Sequence, residues 1–312
     1  SATQHLGALI SFSLQPNYLL HMIIGITGGT GFIGGAVRQA ALANGDEVIL
    51  FSRRGGEGRR RFFLSAPLDV EGCEGLLHLA GESIMGLWTR EKRRKILESR
   101  VEGTRRLVEG IAAAQVKPRV LVSASAIGFY GDTGEQITDE ESPAGTGFLA
   151  EVAQAWEAEA RKAEQYGVRV VRLRIGFVLG RDGGAMKLIK PVFQAGLGGR
   201  LGSGRQWMSC IEIEDLAAMA VECLHNESIS GPINAVIPEP VTNALFTKEA
   251  ARAAHRPAFF PAPAFALRLA LGDLSHLMLD SLRIVPKRFT ELGFPYRFGN
   301  VAAAMDEVFR KA

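Results

Sequence analysis

The stretch SASAIGFYG, residues 123–131, sets Ser123, Ser125 and Tyr130 directly behind the apolar run RVLV at 119–122. A strand ending in hydroxyl-bearing residues presents them at a sheet edge, where a serine can orient a substrate oxygen and a tyrosine can give or take a proton. A second chemical stretch is MIIGITGGTGFIGGAV, residues 22–37, with Gly28, Gly31 and Gly34 in GxxGxxG spacing between a strand-like run and a helical pattern. Glycine suits each point: one for a tight turn, one for close backbone approach to a pyrophosphate, one for helix packing. The helix start adds the positive end of its dipole. Gly28, Gly29, Thr30, Gly31, Phe32, Ile33 and Gly34 therefore form a candidate dinucleotide cradle.

The end of the next apolar run discriminates between dinucleotides. An acid there holds a ribose 2′-hydroxyl, whereas a 2′-phosphate needs that acid absent and an arginine nearby. The chain reads FSRR, so Ser52 can donate to a phosphate oxygen and Arg53 can pair with it. This favours NADP(H) over NAD. Farther along, Arg200, Arg205 and Trp207 in GLGGRLGSGRQW could bind an anionic or stacked small-molecule substrate.

Other chemistries lack support. The six histidines show neither HxxxH nor HExxH spacing, and Cys73, Cys210 and Cys223 form no CxxC, so no metal is expected. Cysteines without a disulfide framework fit a reducing compartment, the cytoplasm. A net charge of +3 is too mild for nucleic acid, and acids interrupt the basic clusters at 53–61 and 89–95. No apolar run of about 18 residues suggests a membrane span. Residues 1–21 lack the basic start and cleavage site of a signal peptide and read as an extension ahead of a fold that starts at Met22.

These groups need a scaffold. Apolar runs at 22–27, 47–51, 75–80, 119–124 and 168–174 alternate with helical patterns at 32–44, 89–114 and 148–166. That alternation predicts an α/β fold, with parallel strands joined by crossover helices. A strand near RRFFL stays open. A strand and a helix follow in MSCIEIEDLAAMAVECL, then helices at 246–256, 263–281 and 300–312. The expected division is a nucleotide-binding domain at 22–180, rejoined by 207–236, and a smaller, mainly helical substrate lobe within 181–312.

TGGTGFIG, HLAGE (78–82), SRVEGTRRLVEGI (99–111) and SASAIGFYGD resemble the extended short-chain dehydrogenases/reductases, which include nucleotide-sugar epimerases. FLAEVAQAWEAEA, RIGFVLGRDGGAM, GLGGRLGSGRQWMS and RIVPKRFTELGF are similar to an atypical branch, the epimerase-family proteins sometimes labelled cell-division-inhibitor-like. The resemblance implies a Rossmann-type doubly wound sheet, NADP(H), and cofactor contacts at Leu79, Ala80, Gly81, Arg100, Ser123 and Val178. His78 is expected to be buried beneath that edge.

Hydride chemistry in this superfamily implies a tyrosine with a lysine four residues on, and a serine, here Ser125 or Ser123. Where the pair belongs, the chain has Phe148 and Val152, and a shift by one gives Leu149 and Ala153. Tyr130 and Ser125 are the remaining candidate catalytic groups, but without an adjacent lysine the phenol keeps its ordinary pKa of about 10 and is a poor base, so Tyr130 reads first as an orienting or packing residue. Glu157 reads as a surface or packing residue. The resemblance also leads one to expect a histidine at Glu212. The leading expectation is an NADP(H)-binding atypical dehydrogenase/reductase. Behind it stand an NADPH-responsive regulatory or interaction protein, then a nucleotide-sugar epimerase.

Overall fold

The computed structural model describes residues 21–53 and 59–310, so the expected extension lies outside the described residues except for His21. In chain order the elements begin with β1 (Ile23–Thr27), α1 (Phe32–Ala43), β2 (Glu47–Ser52), β3 (Arg59–Arg61), β4 (Gly75–His78), α2 (Arg90–Ala113), β5 (Val120–Ala126), α3 (Phe148–Arg161), β6 (Arg169–Ile175) and β7 (Phe177–Leu179). There follow α4 (Met186–Gln194), β8 (Trp207–Met208), β9 (Cys210–Glu212), α5 (Ile213–His225), β10 (Gly231–Ala235), β11 (Val241–Thr242), α6 (Asn243–Ala254), α7 (Ala264–Leu271), α8 (His276–Leu279), α9 (Lys287–Glu291) and α10 (Val301–Phe309).

Seven strands form a parallel sheet in the order β3-β2-β1-β4-β5-β6-β10, the Rossmann-type doubly wound arrangement. Strand order reverses between β1 and β4, which opens a crevice at the carboxyl ends of those strands. The inner strands β1, β4 and β5 read as largely apolar runs because both faces are covered. On one face α1 and α5 pack around Ile24, Ile26, Val37, Leu216 and Met219. On the other, α2 and α3 pack around Leu76, Leu107, Ile111, Leu121 and Ala160. A separate core of Phe193, Phe246, Val301 and Met305 gathers α4, α6 and α10, the helical C-terminal region.

The departures from the sequence reading have local causes. The strand expected at 75–80 ends at His78, because Leu79 and Ala80 pass under the glycine turn: a Cβ on Gly28 would lie 2.9 Å from the Leu79 carbonyl carbon. The open strand near RRFFL is β3, one residue earlier. The helix expected over 263–281 breaks at Gly272, whose φ is 55°. Strand β10, GPINA, carries Pro232 and a buried Asn234, and a proline fits this edge position without costing a ladder hydrogen bond.

Helix α2 approaches the sheet through a glycine. A Cβ on Gly110 would sit 1.9 Å from the Leu68 carbonyl oxygen. Alanine would gain about 1 kcal/mol of helix propensity, but two backbones would have to separate. Gly110→Ala is expected to lower unfolding free energy by about 1–3 kcal/mol, read from urea denaturation.

Candidate functional site

The glycine turn crosses the crevice. Gly28 has φ 73°, in the left-handed region, and Gly31 N–H donates to the Gly28 carbonyl at 2.9 Å. A Cβ on Gly34 would meet that same carbonyl oxygen at 2.3 Å, so the first turn of α1 lies directly on the loop. Gly31 stands at the N-cap of α1 and brings no capping side chain, so no side chain there competes with an anion for the first-turn N–H groups. Phe32 turns outward from this cradle. Its ring fills the hollow over Gly180, Gly183 and Gly184, where a Cβ on Gly183 would come within 2.0 Å of it. The glycines of GRDGG are therefore a seat for Phe32, and Val178 on β7 leads into that loop, partly buried.

Thr27 ties β1 to β4 at the crevice floor. Its hydroxyl accepts from the Leu79 and Ala80 N–H groups at 3.2 and 3.3 Å and lies 2.7 Å from His78 Nδ1. With its lone pairs taken by two amides, the hydroxyl gives its proton to Nδ1, which puts the proton of a neutral His78 on Nε2. That Nε2 is buried and has no partner among the described residues. Burial, aided by the Arg100 charge, pushes His78 down to about 4. His78 is buried beneath the edge, as expected.

Beyond Ala80, Arg100 covers Gly81: a Cβ there would lie 3.2 Å from the guanidinium carbon. Arg100 Nη1 donates to the Glu82 and Ile96 carbonyls at 2.9 and 3.1 Å, and its guanidinium stands 5.0 Å from the Trp156 ring centroid. Burial pushes it down to about 10. No carboxylate pairs with it among the described residues, so a bound phosphate could. At the end of β2 the Ser52 hydroxyl is buried and without a partner among the described residues, while Arg53 is exposed.

The hydroxyls at the end of β5 are differently engaged. Ser125, Arg174 and Asn234 are register neighbours on β5, β6 and β10. Ser125 donates to Glu157 Oε1 at 2.7 Å. Arg174 grips the same carboxylate with Nε at 2.8 Å and Nη2 at 2.9 Å, and Arg172 adds a contact at 3.1 Å. Arg174 Nη1 donates to the Tyr130 oxygen at 2.7 Å, and Tyr130 donates to Asn234 Oδ1 at 2.7 Å. Burial pushes the Tyr130 phenol up to about 12, although Arg174 opposes the rise.

Three consequences follow. Glu157 is not a surface residue: its side chain is 4% exposed and centres a buried ion network from α3. Tyr130 is not poised as a base, because both hydrogen-bonding sides of its hydroxyl are occupied and its proton is held tightly. Ser125 has its only proton committed to Glu157, so it can offer a substrate lone pairs alone. Ser123 is buried in register with His78 and Arg172, and among the described residues its hydroxyl makes only a long contact to the Ala124 carbonyl. The sequence did hold a clue to Glu157: arginines at 172 and 174, inside a strand read as buried, demand a buried carboxylate.

Where a tyrosine would stand, the Phe148 ring packs edge-on to Trp88 at 5.3 Å and lies under Arg93 at 4.9 Å. Arg93 forms an ion pair with Asp273. Val152 is buried. Arg200, Arg205 and Trp207 do come together, lining a cleft of about 360 Å³ with Glu135, Ser203 and Thr242. Arg283 covers one face of Trp207 at 4.1 Å, and the indole N–H donates to Glu135 at 2.7 Å. Glu212 is the N-cap of α5, its carboxylate accepting from the Glu214 N–H, and burial raises it to about 7. Among the described residues no cluster of metal ligands occurs, and no helix is long and apolar enough to cross a membrane. The described cysteines are free and buried.

A parallel doubly wound sheet with a glycine turn at its switch point defines a Rossmann-type nucleotide-binding class. Residues 24–235 match the NAD dependent epimerase/dehydratase family, to which the chain belongs, and residues 262–308 match a domain of unknown function, DUF1731. The chain is 35% identical over 303 residues to the epimerase family protein SDR39U1 homolog, chloroplastic, of Arabidopsis thaliana, covering 93% of this chain and 87% of the relative. It is 35% identical over 297 residues to epimerase family protein YfhF of Bacillus subtilis, covering 92% and 98%. The crystal structure of human epimerase family protein SDR39U1 (isoform 2) with NADPH superposes with a TM-score of 0.88 at 33% identity, covering 93% of this chain and all of that one. The resemblance to the atypical epimerase-family branch holds.

Two outcomes are expected from the buried groups. Glu157→Gln leaves Arg174 without its counter-charge and should lower stability by about 3–5 kcal/mol, measured by urea denaturation at pH 7. For His78, the unfolded chain binds a proton between about 4 and 6.5 that the folded chain refuses. The site's stability is therefore complete above 6.5 and is lost as pH falls toward 4. In His78→Gln, the drop in denaturation midpoint between pH 7 and pH 5 should be smaller than in the parent protein.

Proposed function

We propose that this chain binds NADP(H) along the carboxyl ends of β1, β2 and β4 and acts as an atypical dehydrogenase/reductase on a small substrate. The observation that carries the cofactor is the buried Ser52 hydroxyl, without a partner among the described residues, beside Arg53 and with no acid in FSRR. A carboxylate there would favour a 2′-hydroxyl; a hydroxyl and a guanidinium favour a 2′-phosphate. The cradle fits the rest of the molecule. The glycine turn from Gly28 to Gly34 takes the pyrophosphate, Leu79, Ala80 and Gly81 line the floor, Arg100 supplies a charge with no carboxylate partner among the described residues, and Val178 and Ser123 stand toward the nicotinamide end. The human relative crystallised with NADPH supports the same choice.

Bound there, the cofactor supplies or accepts a hydride. The chain's own part is to orient a substrate near Ser125 and in the cleft of Arg200, Arg205 and Trp207, with the cytoplasm as the expected compartment. A second reading, an NADPH-responsive regulatory protein, is favoured by the engagement of Tyr130 and by Phe148 and Val152 in place of the acid/base pair. A nucleotide-sugar epimerase ranks third for the same reason.

Calorimetric titration tests the cofactor: NADPH should bind saturably and at least about tenfold more tightly than NADH. Absence of saturable NADPH binding would remove the proposal. A panel of carbonyl compounds then separates the readings. Turnover lost in Ser125→Ala supports the reductase, and no turnover with intact NADPH binding supports the regulatory protein.

A further inference from the structure

The edge strand β3 reads RRR, and its register sets Arg60 on one face and Arg59 and Arg61 on the other, with Arg61 nearer the carboxyl end. Side chains alternate along β2. Phe51 points to the α2 face, where it crowds Gly25 beside Cys73. Leu50 points to the opposite face, where it lies under the glycine turn: a Cβ on Gly29 would meet Leu50 Cδ2 at 2.5 Å. Ser52 shares the face of Leu50 and stands one step farther along the strand, just past the turn.

Parallel pairing matches Leu50 with Arg59, Phe51 with Arg60 and Ser52 with Arg61. Arg60 accordingly lies on the α2 face, where its guanidinium is consumed by the Asp69 and Glu71 carbonyls at 3.3 and 2.5 Å. Arg61 stands beside Ser52 on the face of the glycine turn, about 4.8 Å away across the strands. Its guanidinium pairs with no carboxylate among the described residues. It lies 6.0 Å from the centroid of the Phe63 ring, at the outer reach of a cation–π contact.

We propose that Arg61, presented by the edge strand in register with Ser52, is a ligand of the cofactor's 2′-phosphate and a determinant of NADP(H) selectivity. The inference rests on the NADP(H) reading above and extends it. Arg53 approaches the phosphate along the chain from Ser52, and Arg61 approaches it from the neighbouring strand. Two guanidinium groups with the Ser52 hydroxyl satisfy a phosphate dianion better than one, since each adds charge-assisted hydrogen bonds. Charged residues on an edge strand also discourage edge-to-edge pairing. That role asks only for charge, and Arg59 would serve it equally.

The difference between Arg61 and Arg59 makes the test. The full chain, with Arg61→Ala and Arg59→Ala variants checked for unchanged thermal melting, is titrated calorimetrically with 2′,5′-ADP, 5′-AMP, NADPH and NADH. Arg61→Ala should weaken 2′,5′-ADP and NADPH about tenfold while 5′-AMP and NADH shift by less than about twofold. Arg59→Ala should leave all four within about twofold. An unchanged preference for NADPH over NADH in Arg61→Ala, or an equal loss in both variants, overturns the role of Arg61 while the NADP(H) reading stands. Failure of the parent chain to prefer 2′,5′-ADP over 5′-AMP overturns both.

Discussion

A carboxylate buried between two guanidinium groups holds the carboxyl edge of this sheet in place. Glu157 comes from α3, Arg172 and Arg174 from β6, and through them Ser125 on β5, Tyr130 on the turn after it and Asn234 on β10 are joined in one hydrogen-bonded chain. Buried charges at such positions are costly unless every partner is present. The network therefore fixes how α3 sits on the sheet and how the 123–131 lip is shaped. It also decides the chemistry of that lip. Hydroxyls that could have faced a substrate are spent on structure, and the phenol is held protonated.

The other half of the edge obeys a steric constraint instead of an electrostatic one. Gly28 and Gly34 let the turn, the start of α1 and the Leu79–Ala80 segment approach closely, and Thr27 pins that segment with two amide hydrogen bonds. Groups without a counter-charge or partner among the described residues gather here: the Ser52 hydroxyl, and Arg100 and Arg53, which pair with no carboxylate. On the β5–β6–β10 side Ser125, Glu157, Arg174, Tyr130 and Asn234 bond to one another, and Arg172 Nε is left without a partner among the described residues. One edge of a single sheet thus holds a region open to an anionic ligand beside a region whose charges are tied to one another.

The legible parts of this molecule were those whose meaning is local. The strand, glycine turn and helix from 22 to 44 can be read from one stretch because each glycine answers to its immediate neighbours, and FSRR places its groups at a strand end by adjacency alone. The alternation of apolar runs gave five of the strands of the main sheet. The Glu157 network was missed because its members are gathered by strand register from 125, 130, 157, 174 and 234, and an isolated Glu on an amphipathic helix resembles a solvated one. Strand β10 was hidden by Pro232 and Asn234, residues that a strand accepts only at an edge and only with a buried partner, here the Tyr130 hydroxyl and the Val285 carbonyl. The Phe32 seat escaped for the same reason, since the glycines that form it lie far along the chain.

The central claim is that an intact cofactor cradle stands beside a lip whose tyrosine is structural. The direct measurement is a pH titration of the Tyr130 phenol by carbon NMR of ring-labelled tyrosine, its signal assigned by its absence in Tyr130→Phe. The account predicts a protonated phenol through neutral pH, titrating only near 12 or not before the chain unfolds. Ionisation between about 6 and 8, as a working general base requires, would contradict it.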